Sequence, residues 1–159
     1  MGRTTVDDLN VVEHWSGALL AQLSPAGRRA ALRDIARELR RSQQARIAAQ
    51  QNPDGSAYEP RKAKVGGKML RDKRGRLKRT AMFMKLRTAR WLRTEVGDRG
   101  LAIGFGGRVA RVACVHQFGE RAPVAPGGAA YRYPARLLLG LTDSERKMIR
   151  DRLLAHVAK

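Results

Sequence analysis

The stretch SPAGRRAALRDIARELRRSQQARIAAQQNPDG, Ser24 to Gly55, carries the longest regular pattern in the chain. Ser24 suits an N-cap and Pro25 the first helical position, where its missing N–H is no loss. Leu32, Ile35, Leu39, Ser42 or Gln43, and Ile47 then recur on one helical stripe. Arg28, Arg29, Arg33, Arg37, Arg40, Arg41 and Arg46 fall mostly off it. Asn52-Pro53-Asp54-Gly55 stops the helix and turns the chain. This predicts a helix from Pro25 to Gln50. Upstream, Leu9, Val12, Trp15 and Leu19 predict another from Val6 to Leu23, so residues 1–52 read as an N-terminal helical hairpin.

Downstream, Tyr58 to Arg79 shows no period and is broken by Pro60, Gly66, Gly67 and Gly75. Residues 53–80 read as a basic loop or arm. Ala81 to Ala89 suits a short helix. Trp91–Val96 and Leu101–Phe105, joined by Gly97-Asp98-Arg99-Gly100, suit a β-hairpin that ends at Gly106-Gly107. Val109–His116 fits either a strand or one helical face. Residues 119–130, with Pro123, Pro126, Gly127 and Gly128, read as a loop, and Tyr131–Leu139 as a short strand broken at Pro134. Thr142 and Glu145 form a capping box for a last helix to Val157, with Met148 or Ile149, Leu153 and Val157 inward. The fold class is α+β: two N-terminal helices, a small antiparallel sheet with long loops, and a C-terminal helix. Residues 81–159 form the α+β portion of the same single domain.

At 159 residues and 43% hydrophobic, the chain is long enough to bury a real core. One cysteine, Cys114, excludes an intrachain disulfide and a cysteine-based zinc site. No apolar run spans a membrane, and Asp7 and Asp8 stand where a signal peptide is apolar, so the expectation is a protein kept in a reducing cytoplasm. The net charge of +19 is concentrated. Residues 61–93 hold 14 basic and 1 acidic side chains, net +13, against +1 for residues 1–60 and +5 for residues 94–159. Like charges this dense repel within a screening length of ~8 Å, so the segment stays extended or meets something negative. Arg61, Lys62, Lys64, Lys68, Arg71, Lys73, Arg74, Arg76, Lys78 and Arg79 are the contact candidates. They are expected to order on assembly. Aromatic side chains flank the segment, as Phe83 and Trp91, without interleaving; that suits phosphate contact without base reading, or an acidic protein surface.

Signals for catalysis are poor. His14 and His156 lie on predicted helices without paired acids. Cys114 and His116 would point the same way on a strand, but a small buried thiol beside a packed histidine is the simpler reading. Gly104-Phe105-Gly106-Gly107 lacks the Lys-Ser/Thr of a phosphate loop. Asp143 and Glu145 belong to a helix start, where acids favour the macrodipole. No cofactor, metal or catalytic residue is expected.

Four stretches together resemble the phage virion morphogenesis family: Arg40 to Lys62 around Asn52-Pro53-Asp54-Gly55, Ala81 to Arg90, Arg111 to Gly119, and Tyr133 to Asp143. The resemblance spans about residues 24–157. One departure is Leu137, where the related pattern often has a second proline after Pro134-Ala135-Arg136. The resemblance implies a small α+β virion protein that is not an enzyme. It would act late in tail assembly, finishing the head-proximal end so that the tail joins a filled head. It implies a ring of copies, a hexamer by the tail's sixfold symmetry. Its partners would be the tail tube or tail terminator and the head–tail connector, with possible contact with DNA in the lumen and none with membrane. The expected location is the virion tail or neck, and the host cytoplasm during assembly. Pro53, Asp54, Gly55, His116, Gln117, Phe118, Gly119, Pro134 and Arg136 would be structural, with His116–Gly119 fixing a core corner and Val109–His116 helical. For the basic segment, the resemblance favours an acidic protein surface over DNA. The alternative function is a freestanding nucleic-acid-binding protein that contacts phosphates without sequence specificity.

Overall fold

A computed structural model of the chain describes residues 5–61, 81–98 and 100–158. The capping logic at Ser24 holds: its side chain accepts from the Gly27 N–H and α2 (Pro25–Ala49) follows, after α1 (Thr5–Ala21). The α2 stripe is buried through Ala31, Leu32, Ile35, Ala36, Leu39, Gln43 and Ile47. α2 is the spine of the molecule, because its two halves enter two different cores. Ala31, Ile35 and Leu39 pack with Ile149 and Leu153 of α4 (Asp143–Val157), and Trp15, Leu19, Leu20 and Leu23 close over them. Ile47 packs with Tyr58, Met82, Phe83, Ala113 and Leu138.

β1 (Leu92–Gly97) pairs antiparallel with β2 (Gly100–Phe105), in register from Leu92 opposite Phe105 to Gly97 opposite Gly100. This hairpin lies against α2, with Leu92 fully buried and Leu101 and Ile103 reaching the α2–α4 core. A 3-10 turn (Gly107–Val109) leads into α3 (Ala110–Phe118), so the ambiguous Val109–His116 stretch is helical. α4 opens with the predicted capping box: Thr142 Oγ1 accepts from the Glu145 N–H and the Glu145 carboxylate accepts from the Thr142 N–H.

Three local expectations fail. Residues 81–91 form successive turns instead of a helix. Phe83 takes a left-handed φ of 64°, which no helix continues through, and buries its ring. Residues 119–130 are not wholly loop, because β3 (Arg121–Pro123) pairs with β4 (Ala130–Arg132) as a second short hairpin. The strand expected over Tyr131–Leu139 therefore ends at Arg132, and the chain continues to Thr142 as an irregular strap.

Candidate functional site

The strap, residues 133–142, is where the motif residues converge. It is irregular, so its backbone polar groups need partners from elsewhere. Side chains supply them. Gln117, on α3, donates to the Leu139 carbonyl and accepts from the Leu139 N–H, both at 3.0 Å. Asn52 Oδ1 accepts from the Leu137 N–H at 2.8 Å. The Gly140 carbonyl accepts from Gln43 Nε2 at 2.8 Å and from Arg46 Nη2 at 3.1 Å. The fit is close: a Cβ on Gly140 would stand 2.6 Å from Pro53 Cγ.

Arg136 holds the start of the strap. It is 3% exposed, and among the described residues no carboxylate lies within ion-pair distance of its guanidinium. Nε donates to the Glu59 carbonyl (2.7 Å), Nη2 to the Pro60 carbonyl (3.2 Å) and Nη1 to His116 Nδ1 (3.1 Å). A guanidinium only donates, so Nδ1 is the acceptor and the imidazole proton sits on Nε2. Burial, then the charges of Arg136 and Arg61, pull the His116 pKa down to about 4. His116 is therefore neutral at pH 7. Its ring is one of five in edge-to-face sequence, Tyr58, Phe83, His116, Tyr133 and Tyr131, with centroids 4.8–5.8 Å apart. Burial raises the Tyr58 pKa to about 12, against an opposing effect of the Arg46 charge.

The turn residues sit at the other edge of the strap. The Gly55 N–H donates to the Asn52 carbonyl, and Gly55 takes φ 84°, as a left-handed turn position requires. Asp54 Oδ1 accepts from the Ser56 hydroxyl (2.6 Å) and N–H (2.9 Å), which lowers its pKa. Gln50, itself at φ 60°, pairs with both backbone groups of Met82, at 2.9 and 2.6 Å. Arg136 and Gln50 thus fasten the chain at residues 59–60 and at residue 82.

Two expectations about this region are corrected. Cys114 and His116 do not share a face, because α3 is a helix: Cys114 is exposed while His116 is inside the ring stack. Nor is all of His116–Gly119 a core corner. Phe118 is 69% exposed; the corner is made by Gly119, at φ 66°, whose Cβ would lie 3.2 Å from the Ala135 nitrogen and the Tyr133 carbonyl oxygen. Of the basic contact candidates, Arg61 is exposed at the edge of the Arg136 cluster. Lys62, Lys64, Lys68, Arg71, Lys73, Arg74, Arg76, Lys78 and Arg79 lie outside the described residues.

The sequence reading missed Arg46 and undervalued Glu145. Arg46 Nη1 lies 3.3 and 3.2 Å from the two Glu145 oxygens, with the side chains 8% and 3% exposed. Gln43 Nε2 also donates to Glu145 Oε1 (3.3 Å), and its Oε1 accepts from Arg46 Nη2. The available signal was Gln43, a polar residue in the middle of an apolar stripe.

The model of the phage virion morphogenesis family matches residues 7–158. The chain belongs to that family. It is also 41% identical over 142 residues to the tail completion protein S of Escherichia phage P2, an alignment covering 89% of this chain and 91% of that protein. No solved structure matches. The stretches that suggested the phage virion morphogenesis family are the ones assembled around the strap: Asn52, Gln117, Arg136 and Gly140 all act there. Among the described residues no group of histidine, cysteine and acid side chains is placed to hold a metal, and no helix is long and apolar enough to cross a membrane.

Proposed function

We propose that this chain is a structural tail completion protein, which finishes the head-proximal end of a phage tail and makes it competent to join a filled head. The observation that carries this reading is the 41% identity to a tail completion protein over about nine-tenths of both chains. The protein works without catalysis, as a closed ring, most simply a hexamer, between tail tube or terminator and the connector. It is a virion tail or neck component assembled in the host cytoplasm. In this reading residues 1–52, 53–80 and 81–159 are a helical hairpin, a basic arm and the α+β remainder of one domain.

A rigid strap region supports the reading, because a ring subunit must present fixed surfaces to its neighbours. The test is reconstitution. Tails produced without this chain are mixed with filled heads, with and without the purified protein. Joined, infective particles should appear only when it is added. Tails that join heads equally well without it overturn the proposal. Sedimentation and scattering of tails and free protein test the ring: a monomer of this length has a radius of gyration of about 15 Å. A subunit found only at that size, free and on tails, rejects the ring.

A further inference from the structure

Gly106 and Gly107 have no part in the strap, yet the backbone there is built around two side chains. Gly107 takes φ 65°, and a Cβ on it would stand 3.2 Å from Trp91 Cζ3. A Cβ on Gly106 would stand 3.2 Å from Arg93 Cδ. The Gly106 N–H donates to the Trp91 carbonyl at 2.9 Å, which fixes this approach. Around the indole, Arg90 Cζ lies 4.7 Å and Arg108 Cζ 5.7 Å from the ring centroid. Arg93 Nε donates to the Arg90 carbonyl, so Arg93 lies alongside.

Two guanidinium groups on one ring repel each other unless an anion sits between them. None of Arg90, Arg93 and Arg108 has a carboxylate within ion-pair distance among the described residues, whereas Arg29 and Arg111 are paired with Asp98 and Glu120. A guanidinium held near an indole keeps N–H donors for a planar or tetrahedral oxyanion, and Arg90 and Arg108 are both exposed. We infer that this arginine-ringed Trp91 is a binding site for the phosphate backbone of duplex DNA, used without sequence reading.

Three observations favour DNA over an acidic protein. Each copy of the chain carries +19, so a second copy is repelled as a whole. Residues 61–93, which include Arg90, Trp91 and Arg93, carry a net charge of +13, a density that matches a polyanion with one charge per ~1.7 Å of duplex. Arg90, Arg93 and Arg108 are donors only, which suits phosphate oxygens. The inference does not rest on the ring or on head joining.

The test uses the full chain and a random-sequence 30-base-pair duplex. Arg90→Gln/Arg108→Gln removes two phosphate contacts; Arg33→Gln/Arg40→Gln removes the same charge from α2. Each neutralised phosphate contributes a slope of about −0.9 on a log–log salt plot, so the first variant should flatten the slope by about 1.8. Its affinity loss between about 50 and about 200 mM salt should then be about 12-fold smaller than that of the parent. The α2 variant should keep the parent slope. In a Trp15→Phe background, where Trp91 is the sole indole, duplex should change the emission with the same midpoint as binding. Equal slopes in the two double variants overturn the inference, as does an unresponsive Trp91 emission. Tighter binding of polyglutamate than of duplex, lost in Arg90→Gln/Arg108→Gln, also overturns it and makes the site a protein-docking one. Thermal melts of both variants, expected within a few degrees of the parent, show that folding is intact.

Discussion

Replacing Arg46 by methionine tests the most consequential buried charge in the fold. Arg46 and Glu145 meet at 3.2 Å with side chains 8% and 3% exposed. Methionine keeps the apolar stem and removes the charge. Among the described residues, Glu145 would then hold a buried carboxylate supported by the Thr142 N–H at 2.8 Å and Gln43 Nε2 at 3.3 Å. An orphaned buried ion of this kind costs about 3–5 kcal/mol. For a chain of this size each kcal/mol moves the melting temperature by about 2–4 °C, so Arg46→Met should melt roughly 10 °C lower. Glu145→Gln keeps an oxygen for the Thr142 cap but strands Arg46 instead, so it too should destabilise the parent. The two changes together remove both charges. Glu145→Gln should therefore raise the stability of Arg46→Met while lowering that of the parent. Urea unfolding of the parent, both single variants and the double variant, followed by circular dichroism at neutral pH, measures the cycle. A loss under about 1 kcal/mol in Arg46→Met, or the same sign for Glu145→Gln in both backgrounds, refutes the reasoning.

Two further predictions concern the strap. A Cβ on Gly55 meets nothing within 4 Å, so Gly55→Val chiefly probes the φ of 84°; the left-handed cost of about 1–2 kcal/mol, larger for a β-branched side chain, should appear as a lower urea midpoint. The His116 pKa is lowered from 6.5 to about 4, so the neutral ring stabilises the fold fully above pH 6.5, and that contribution falls away as pH drops toward 4. Against His116→Gln, whose amide oxygen still accepts from Arg136, the parent should lose at most about 3 kcal/mol more across that window. Parallel stability curves for the two proteins would show that His116 does not titrate differently in the fold.

The helices could be read because their signals are local. Ser24-Pro25 and the Thr142–Glu145 box are devices of a few residues, and the α2 stripe from Ala31 to Ile47 repeats over more than four turns. The β1–β2 hairpin was equally plain, from two apolar runs around a glycine-flanked turn. β3 and β4 escaped because three-residue strands beside Pro123 carry no pattern above that of a loop. Residues 81–91 misled because their apolar spacing is helical while Gln50, 32 residues upstream, holds Met82 by both backbone groups. Arg46 looked like one more solvated arginine, since its partner is 99 residues away. The Trp91 cluster was hidden in the same way: Arg108 reaches the indole only because the hairpin folds back.

The strap also bears on how freely this sequence can vary. In a sheet, neighbouring strands are joined by groups that nearly every residue possesses, so the pairing survives almost any exchange except to proline. Here the rungs of the ladder are the amides of Asn52 and Gln117, which only two residue types carry. An acid in place of Gln117 lacks the donor to the Leu139 carbonyl, an acid in place of Asn52 lacks the donor to residues 56 and 57, and an alanine lacks both groups. Information that a strand spreads thinly over its backbone is concentrated in a few letters. That is a physical reason for Asn52 and Gln117, in two of the stretches that resemble the family, to tolerate few replacements.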